Sequence, residues 1–431
     1  MNQLKKKIRS KFQKVIPSFI EGRFLRKTGG LIKRMYDKFI ASIDRRLGII
    51  AKYFLSISTE VDENKIMFIT FQGDYTCNPK YITEELLKRN VDWDIVWSGR
   101  KYTLTHADDI HADRIRFVEQ YTTEFYKELA SAKIWVVNSV DFLKNPIYKK
   151  KEQILIETWH GSLGIKRFDK NSNSGRRWVS AAELCGRIAA YCISNSTFEN
   201  EVYRGTYWPK TPILEYGHPR NDILAPSRTE MQELAKNRVF AKYEVEPDTK
   251  IVLYAPTFRD SKTFSCYNIR YDELIDTLQE RFGGNWKVFV RFHPTVRKYA
   301  KGMLKKNTNV VDVTDYPDIQ EIMAVSDVAI TDYSSWIYDF ILLRRPGFIF
   351  ATDIEEYNDE RGFYFKLEST PFPIATSNEE LQNNILSFDN ETYVERVEAF
   401  ISEKGCVDDG HASERVADKL EELMNAKKAD M

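Results

Sequence analysis

The chain has 431 residues, of which 42% are apolar, 29% charged and 13% aromatic. That composition fills two cores of roughly 150–200 residues each and excludes a disordered or low-complexity chain. The five cysteines, Cys77, Cys185, Cys192, Cys266 and Cys406, are odd in number and lack metal-ligand spacing, which excludes a disulfide framework and leaves reduced thiols as the expectation.

The net charge of +1 hides an asymmetry. Residues 1–50 carry fourteen Lys and Arg against Glu21, Asp37 and Asp44, a balance of +11 that leaves −10 on the remaining 381 residues. A basic arm on an acidic body calls for a polyanionic partner. The arm has neither the unbroken apolar core nor the small-residue cleavage site of a signal peptide. No run of about 18 uncharged apolar residues occurs anywhere, so no transmembrane helix is expected. Ile8, Phe12, Ile16, Phe19 and Ile20, then Leu31, Ile32, Met35, Tyr36, Phe39, Ile40 and Ile43, recur at steps of three and four with Lys and Arg between them. This predicts basic amphipathic helices broken near Pro17 and at Gly29-Gly30. Such helices lie in the interface of an anionic membrane, or else pack their stripe on the protein body. No nucleic-acid motif accompanies the charge, so nucleic acid is not expected as a partner.

After residue 60 short apolar strands alternate with helices. Strands are predicted at Lys65–Thr70, Trp93–Trp97, Arg114–Val118, Ile134–Asn138, Gln153–Glu157, Tyr191–Ser194 and Ile213–Glu215, with helices such as Asn78–Arg89 and Thr123–Ala132 between them. A second series follows a hinge at Ala225–Ser227. Its helices are Thr229–Phe240, Tyr271–Phe282, Ile319–Ala324 and Trp336–Leu343. Its strands are Lys250–Tyr254, Lys287–Arg291, Val310–Val313, Val328–Thr331 and Gly347–Phe350. Strand–helix alternation implies α/β architecture with parallel sheets, here as two Rossmann-like halves facing a cleft. Neither a G-x-G-x-x-G nor a P-loop is present, so no dinucleotide or ATP cofactor has a motif behind it.

Five segments could carry chemistry, and most follow apolar strands, where α/β sheets bind ligands. In Glu157-Thr158-Trp159-His160-Gly161-Ser162, His160 suits proton transfer near neutral pH and Gly161 allows close backbone approach; a structural loop cap is the other reading. Gly217-His218-Pro219-Arg220-Asn221-Asp222 reads as a turn leading into a helix between the halves. In Ala255-Pro256-Thr257-Phe258-Arg259, Thr257 and Arg259 could reach a diphosphate. In Arg291-Phe292-His293-Pro294, the fork of Arg291 suits phosphate oxygens and His293 can donate a hydrogen bond or a proton. Thr331-Asp332-Tyr333-Ser334-Ser335 runs into a helix. Ser334 and Ser335 are N-cap candidates whose helix start can also bind phosphate, and Asp339 could hold a ribose hydroxyl or position a base.

In their order and spacing these segments resemble the CDP-glycerol glycerophosphotransferase family, the teichoic-acid primases and polymerases. The matching elements are Asn78–Tyr81 (N-P-K-Y), Thr158–Gly161 (T-W-H-G), Gly217–Asp222 (G-H-P-R-N-D), Ala255–Arg259 (A-P-T-F-R), Arg291–Pro294 (R-F-H-P), Asp332–Ser335 (D-Y-S-S) and Asp409–Arg415 (D-G-x-A-S-E-R). The resemblance covers roughly residues 65–420. It implies a GT-B fold with donor binding by the C-terminal half; with the basic helical arm over 1–50, the expected divisions are an acceptor half over 51–225, a donor half over 226–405 and a C-terminal helix over 406–431. It implies a metal-independent, cofactor-free transfer of glycerol phosphate or ribitol phosphate from a CDP-polyol to a lipid-linked glycan or polymer hydroxyl, at the cytoplasmic face of the membrane, in teichoic acid or capsule-type synthesis. His160 and His293 are the implied catalytic pair, with His160 as general base. Thr257, Arg259, Arg291, Asp332, Ser334, Ser335 and Asp339 are the expected donor-binding residues, with Asp332 and Asp339 orienting groups rather than binding metal. Gly161, Gly217, Pro219, Arg220, Asn221 and Asp222 are expected at the cleft and hinge. After His160-Gly161 the chain reads Ser162-Leu163-Gly164-Ile165-Lys166, where many of these enzymes have a T-P-L-K type run, so this loop bears on the acceptor. A GT-B sugar transferase using a nucleotide sugar is the rival enzyme, and a non-catalytic scaffold the rival of another class.

Overall fold

The structure, a computed structural model, describes residues 48–99, 112–164, 167–168, 175–257, 259, 267–293, 308–354 and 362–426. The expected basic helices up to residue 47 lie outside the described residues, as do Ile165, Lys166, Phe258 and Pro294. The chain divides into two compact units, residues 1–58 with 146–148, and residues 59–145 with 149–431. In the first, residues 48–58 form a helix. Its Tyr53 ring meets Tyr148 edge-on at 4.9 Å, and Ser56 Oγ donates to the Tyr148 carbonyl at 3.0 Å.

The second unit holds two parallel sheets. Strands β1 (Asp62–Ile69), β2 (Asp94–Ser98), β3 (Ile115–Val118), β4 (Ala132–Val137), β5 (Ile154–Glu157), β6 (Tyr191–Ser194) and β7 (Ile213–Glu215) lie in the order β3-β2-β1-β4-β5-β6-β7. Strands β8 (Lys250–Tyr254), β9 (Trp286–Val290), β10 (Val310–Asp312), β11 (Val328–Thr331), β12 (Gly347–Phe350) and β13 (Ile374–Ala375) lie in the order β10-β9-β8-β11-β12-β13. Helices cover both faces, so the strands are near-continuous apolar runs. β4 is buried at every position and β11 likewise. Each sheet reverses its strand order beside its first strand, between β1 and β4 and between β8 and β11. Ligands bind outside the carboxyl ends at such switch points. This is the two-Rossmann GT-B architecture.

The expected strands fall within one to three residues of the observed ones. Expectation missed β13 and the helices Asn378–Leu386 and Asn390–Lys404, and it placed helices between the first-half strands without bounds for Arg176–Ile188 and Thr197–Gly205. The last helix, Ala412–Asn425, is not an appendage. Val416, Ala417, Leu420, Leu423 and Met424 share one core with Ile66, Phe68, Trp97 and Ile134 of the first sheet. Lys133 sits in the middle of that apolar sheet because it ends this helix. Its ammonium donates to the Met424 carbonyl at 2.8 Å and the Ala426 carbonyl at 3.1 Å, placing a cation on the helix C-terminus.

Candidate active site

β5 ends at Glu157, and a tight turn then aims His160 outward. Trp159 adopts φ +53°, an uncommon left-handed conformation for a bulky residue. Two buried side chains hold it there. The Glu157 carboxylate accepts from the Trp159 amide at 2.9 Å, and Asn78 Nδ2 donates to the carbonyls of Thr158 at 2.8 Å and Trp159 at 3.1 Å. Asn78 belongs to the N-P-K-Y segment, so that motif supports the histidine loop. Burial pushes Glu157 up to about 8, opposed by its bonds to the Trp159 amide and to Cys185.

His160 Nδ1 lies 2.6 Å from the Asn138 carbonyl oxygen at the end of β4. A carbonyl only accepts, so Nδ1 carries the proton and Nε2 presents a lone pair. The ring stacks on Phe71 at 6.0 Å and leans on Trp159 at 4.6 Å. Desolvation holds the His160 pKa below its ordinary value, and Arg220 and His218 add to this against the opposing Asn138 bond. The imidazole is therefore a neutral base at pH 7.

It faces a cavity of about 260 Å³. Trp159, His160, Arg167, Phe168 and Glu199 line it from the first half, Ser335 and Tyr364 from the second. The two walls touch at Gly164. A Cβ there would lie 2.6 Å from Ser335 Cβ, so only glycine permits this approach. The departure noted after His160-Gly161 thus closes the loop on the D-Y-S-S segment.

In the second half, Thr257, His293 and Ser334-Ser335 follow the carboxyl ends of the adjacent strands β8, β9 and β11. Ser335 occupies the N-cap position of the helix Trp336–Phe340 without a side-chain cap bond, and it is half-buried with Ser334. His293 is exposed. The two arginines expected on phosphate are engaged elsewhere. Arg259 is buried, pairs with Asp332 at 2.8 Å and Asp353 at 2.7 Å, and lies over the Tyr333 ring. Arg291 donates to the carbonyls of Val313 and Tyr316 behind β9. A buried guanidinium needs such partners, and here they set loop positions. Asp332 also accepts from the Thr257 amide at 2.8 Å, tying the loops after β8 and β11 together.

The residues expected at the cleft and hinge lie together and bind one another. Arg220 reaches three segments: its amide donates to Asn78 Oδ1 at 3.1 Å, Nη2 to the Gly161 carbonyl at 2.6 Å, and its guanidinium pairs with Asp339 at 3.0 Å. Asn221 donates to Asp339 at 3.1 Å and Asp408 at 2.9 Å. Asp339 thereby accepts from both Arg220 and Asn221 in this knot. Pro219 begins the short 3-10 helix Pro219–Leu224, and Asp222 caps the C-terminal helix by accepting from Ala412 and Ser413 amides at 2.8 Å each. Gly217, at φ +86°, packs beneath Asp408. Sequence reasoning missed Glu199, Asn195, Arg167, Tyr364 and Asp408, which lie in no strand-end motif it singled out. Among the described residues no group of three or more His, Cys, Asp or Glu could hold a metal.

A family model described as CDP-Glycerol:Poly(glycerophosphate) glycerophosphotransferase matches residues 51–422. The chain is 30% identical over 379 residues to a teichoic acid poly(glycerol phosphate) polymerase of Staphylococcus epidermidis, covering 84% of this chain and 51% of that protein. It is 26% identical over 385 residues to a teichoic acid glycerol-phosphate transferase of Staphylococcus aureus, covering 85% of this chain and 95% of that protein. It thus spans about half the length of the first relative and nearly all of the second. A solved structure of a variant of the wall teichoic acid polymerase TagF soaked with CDPG superposes with a TM-score of 0.74 at 27% identity, covering 90% of this chain and 98% of that one. With the seven motifs, the two-Rossmann fold and the family match over most of its length in agreement, the chain belongs to the CDP-glycerol:poly(glycerophosphate) glycerophosphotransferase family.

Proposed function

We propose that the chain transfers glycerol phosphate or ribitol phosphate from a CDP-polyol to an acceptor hydroxyl and releases CMP, in the synthesis of a teichoic-acid or capsule-type polymer. The carrying observation is His160, with Nδ1 committed to the Asn138 carbonyl and a cavity shared by both halves in front of it. Nε2 removes the acceptor proton as the oxygen attacks the donor's β-phosphorus. The bond from that phosphorus to the bridging oxygen breaks, and CMP departs. Such a transfer needs positioning and charge stabilisation more than covalent chemistry. The diphosphate lies against Thr257, Ser334, Ser335 and His293, grouped around the β8/β11 switch point. Arg259 and Arg291 act behind them by fixing the loops. The reading takes further support from a relative named as a glycerol-phosphate transferase and a TagF variant soaked with CDPG.

The enzyme works as a peripheral protein on the cytoplasmic face of the membrane. The +11 balance of residues 1–50 supports this, as do Ile50, Tyr53, Phe54 and Ile57, which are exposed on the helix 48–58. Lys and Arg near an anionic surface contribute about 1 kcal/mol each, and exposed aromatics add a salt-resistant part. Among the described residues no helix is long and apolar enough to cross a membrane.

Mass spectrometry of products from CDP-glycerol, CDP-ribitol and UDP-sugars with a lipid-like acceptor tests the chemistry. Polyol-phosphate addition that persists in excess chelator is expected, whereas transfer from UDP-sugars alone would reject it. Deleting residues 1–50 should abolish flotation with anionic liposomes while sparing activity on a short soluble acceptor.

A further inference from the structure

Arg167 leaves the first-half loop that carries His160, yet its contacts are with the second half. Its amide donates to the Gly362 carbonyl at 3.3 Å and its Nε to the Phe363 carbonyl at 3.1 Å. Its guanidinium lies over the Tyr364 ring at 5.7 Å. The neighbouring Phe168 packs on Trp159 at 5.2 Å. These bonds hold an exposed arginine at the cavity wall, and among the described residues its two terminal nitrogens have no hydrogen-bond partner, which leaves them for a ligand.

Several arginines are committed to carboxylates, and Arg167 is not one of them. Arg89, Arg116, Arg220, Arg238 and Arg259 each have a carboxylate oxygen within 3.0 Å. Among the described residues no carboxylate lies within ion-pair distance of Arg167. Among the described residues that line the cavity the one carboxylate is Glu199, whose Oε2 accepts from the Asn195 amide at 2.9 Å and lies 2.9 Å from His218 Nε2. Ser162, which also lines the cavity, accepts at Oγ from Asn195 Nδ2 at 2.8 Å. The wall thus offers a cationic fork on one side and hydroxyl-binding groups on the other, with His160 among them. A phosphodiester carrying a polyol end has the complementary pattern.

We infer that this cavity is the subsite for the acceptor end and that Arg167 binds the last phosphate of a polyol-phosphate-terminated acceptor, placing its terminal hydroxyl at His160 Nε2. Resting on the function proposed above, this selects phosphate-bearing chains over neutral glycans as the preferred acceptor class. A guanidinium fork matches a phosphate's paired oxygens, and such charge-assisted bonds are about twice as strong as neutral ones.

The test compares two short soluble acceptors, a glycerol-phosphate oligomer and a polyol of equal length without phosphate, each with a CDP-polyol donor. Wild type should prefer the phosphate-bearing one. Arg167→Gln should raise KM for that acceptor about 10- to 100-fold, the scale of losing a charged hydrogen bond. KM for the neutral acceptor and for the donor should stay within about twofold, and Arg167→Lys should restore part of the preference. A rise in donor KM instead would assign Arg167 to the donor phosphates and overturn the inference. So would an acceptor preference that Arg167→Gln leaves intact. Wild-type protein inactive with every CDP-polyol would overturn the functional reading itself.

Discussion

The Nδ1 atom of His160 lies 2.6 Å from the backbone carbonyl oxygen of Asn138. Among the described residues no carboxylate is hydrogen-bonded to this imidazole. A main-chain acceptor at the end of β4 orients it, so the tautomer is set by the fold rather than by a replaceable side chain. Substituting Asn138 therefore leaves the tautomer in place, whereas His160→Ala is expected to lower kcat by about 100-fold or more, the usual scale for losing a general base. His293→Ala should cost a similar factor. Both side chains are exposed, so unchanged thermal unfolding should accompany the loss in rate assays.

Desolvation holds the His160 pKa below its ordinary value of about 6.5. The neutral form is the base, so activity falls as pH drops through that lowered value. A pH profile of kcat/KM should place its acid limb below about 6.5. An acid limb above 7 would show that another group controls it.

Gly164 and Ser335 meet across the cleft. Gly164→Ala puts a Cβ 2.6 Å from Ser335 Cβ and forces the loop and the D-Y-S-S segment apart. Misplacement by about 1 Å at a reacting centre costs on the order of 100-fold. Turnover should fall by up to that factor, measured beside a thermal midpoint that moves little.

Lys80, on the helix Cys77–Lys88, is buried between Asp318 and Glu321 of the second half, each at 2.6 Å. Burial alone would lower its pKa, but Asp318, Tyr81 and the nearby glutamates raise it well above the ordinary value. Lys80→Met leaves the buried Asp318 carboxylate without its cation while Glu321 keeps Arg238 at 3.0 Å, a loss of about 3–5 kcal/mol. Urea denaturation should show it, together with weaker coupling between the unfolding of the two halves.

Glu157 is fully buried behind Trp159, with its pKa raised by desolvation to about 8. The native state therefore holds a proton that the unfolded chain releases near 4.5. Its contribution is full below that lower value and is lost as pH rises toward 8. The slope approaches 1.4 kcal/mol per pH unit for one proton. Glu157→Gln keeps an acceptor for the Trp159 amide, so denaturation between pH 5 and 8 should show a flatter dependence than wild type.

The strands were legible because parallel strands buried on both faces are continuous apolar runs, as in Ile-Val-Leu-Tyr at 251–254. His160 by itself read as a base or as a structural loop cap, because the Asn138 carbonyl that fixes its ring lies 22 positions away. The helices Asn378–Leu386 and Asn390–Lys404 were not legible, because a helix docked along a single stripe leaves most of its residues polar.

The sequence alone established the strand-end motifs and their order, since each is a local pattern read within six residues. Only the tertiary structure decided what each side chain faces. Arg259 meets Asp353, 94 positions away, Arg220 meets Asp339, 119 positions away, and Lys133 meets Met424, 291 positions away. An arginine that could grip phosphate and one that pins a loop look alike until the carboxylates around them are placed. Arg167 is the converse case: nothing in its local sequence marks it, and its place at the cavity wall comes from two carbonyls nearly 200 residues further along the chain. Folding brings such partners together through the packing of the two cores, which no local pattern encodes.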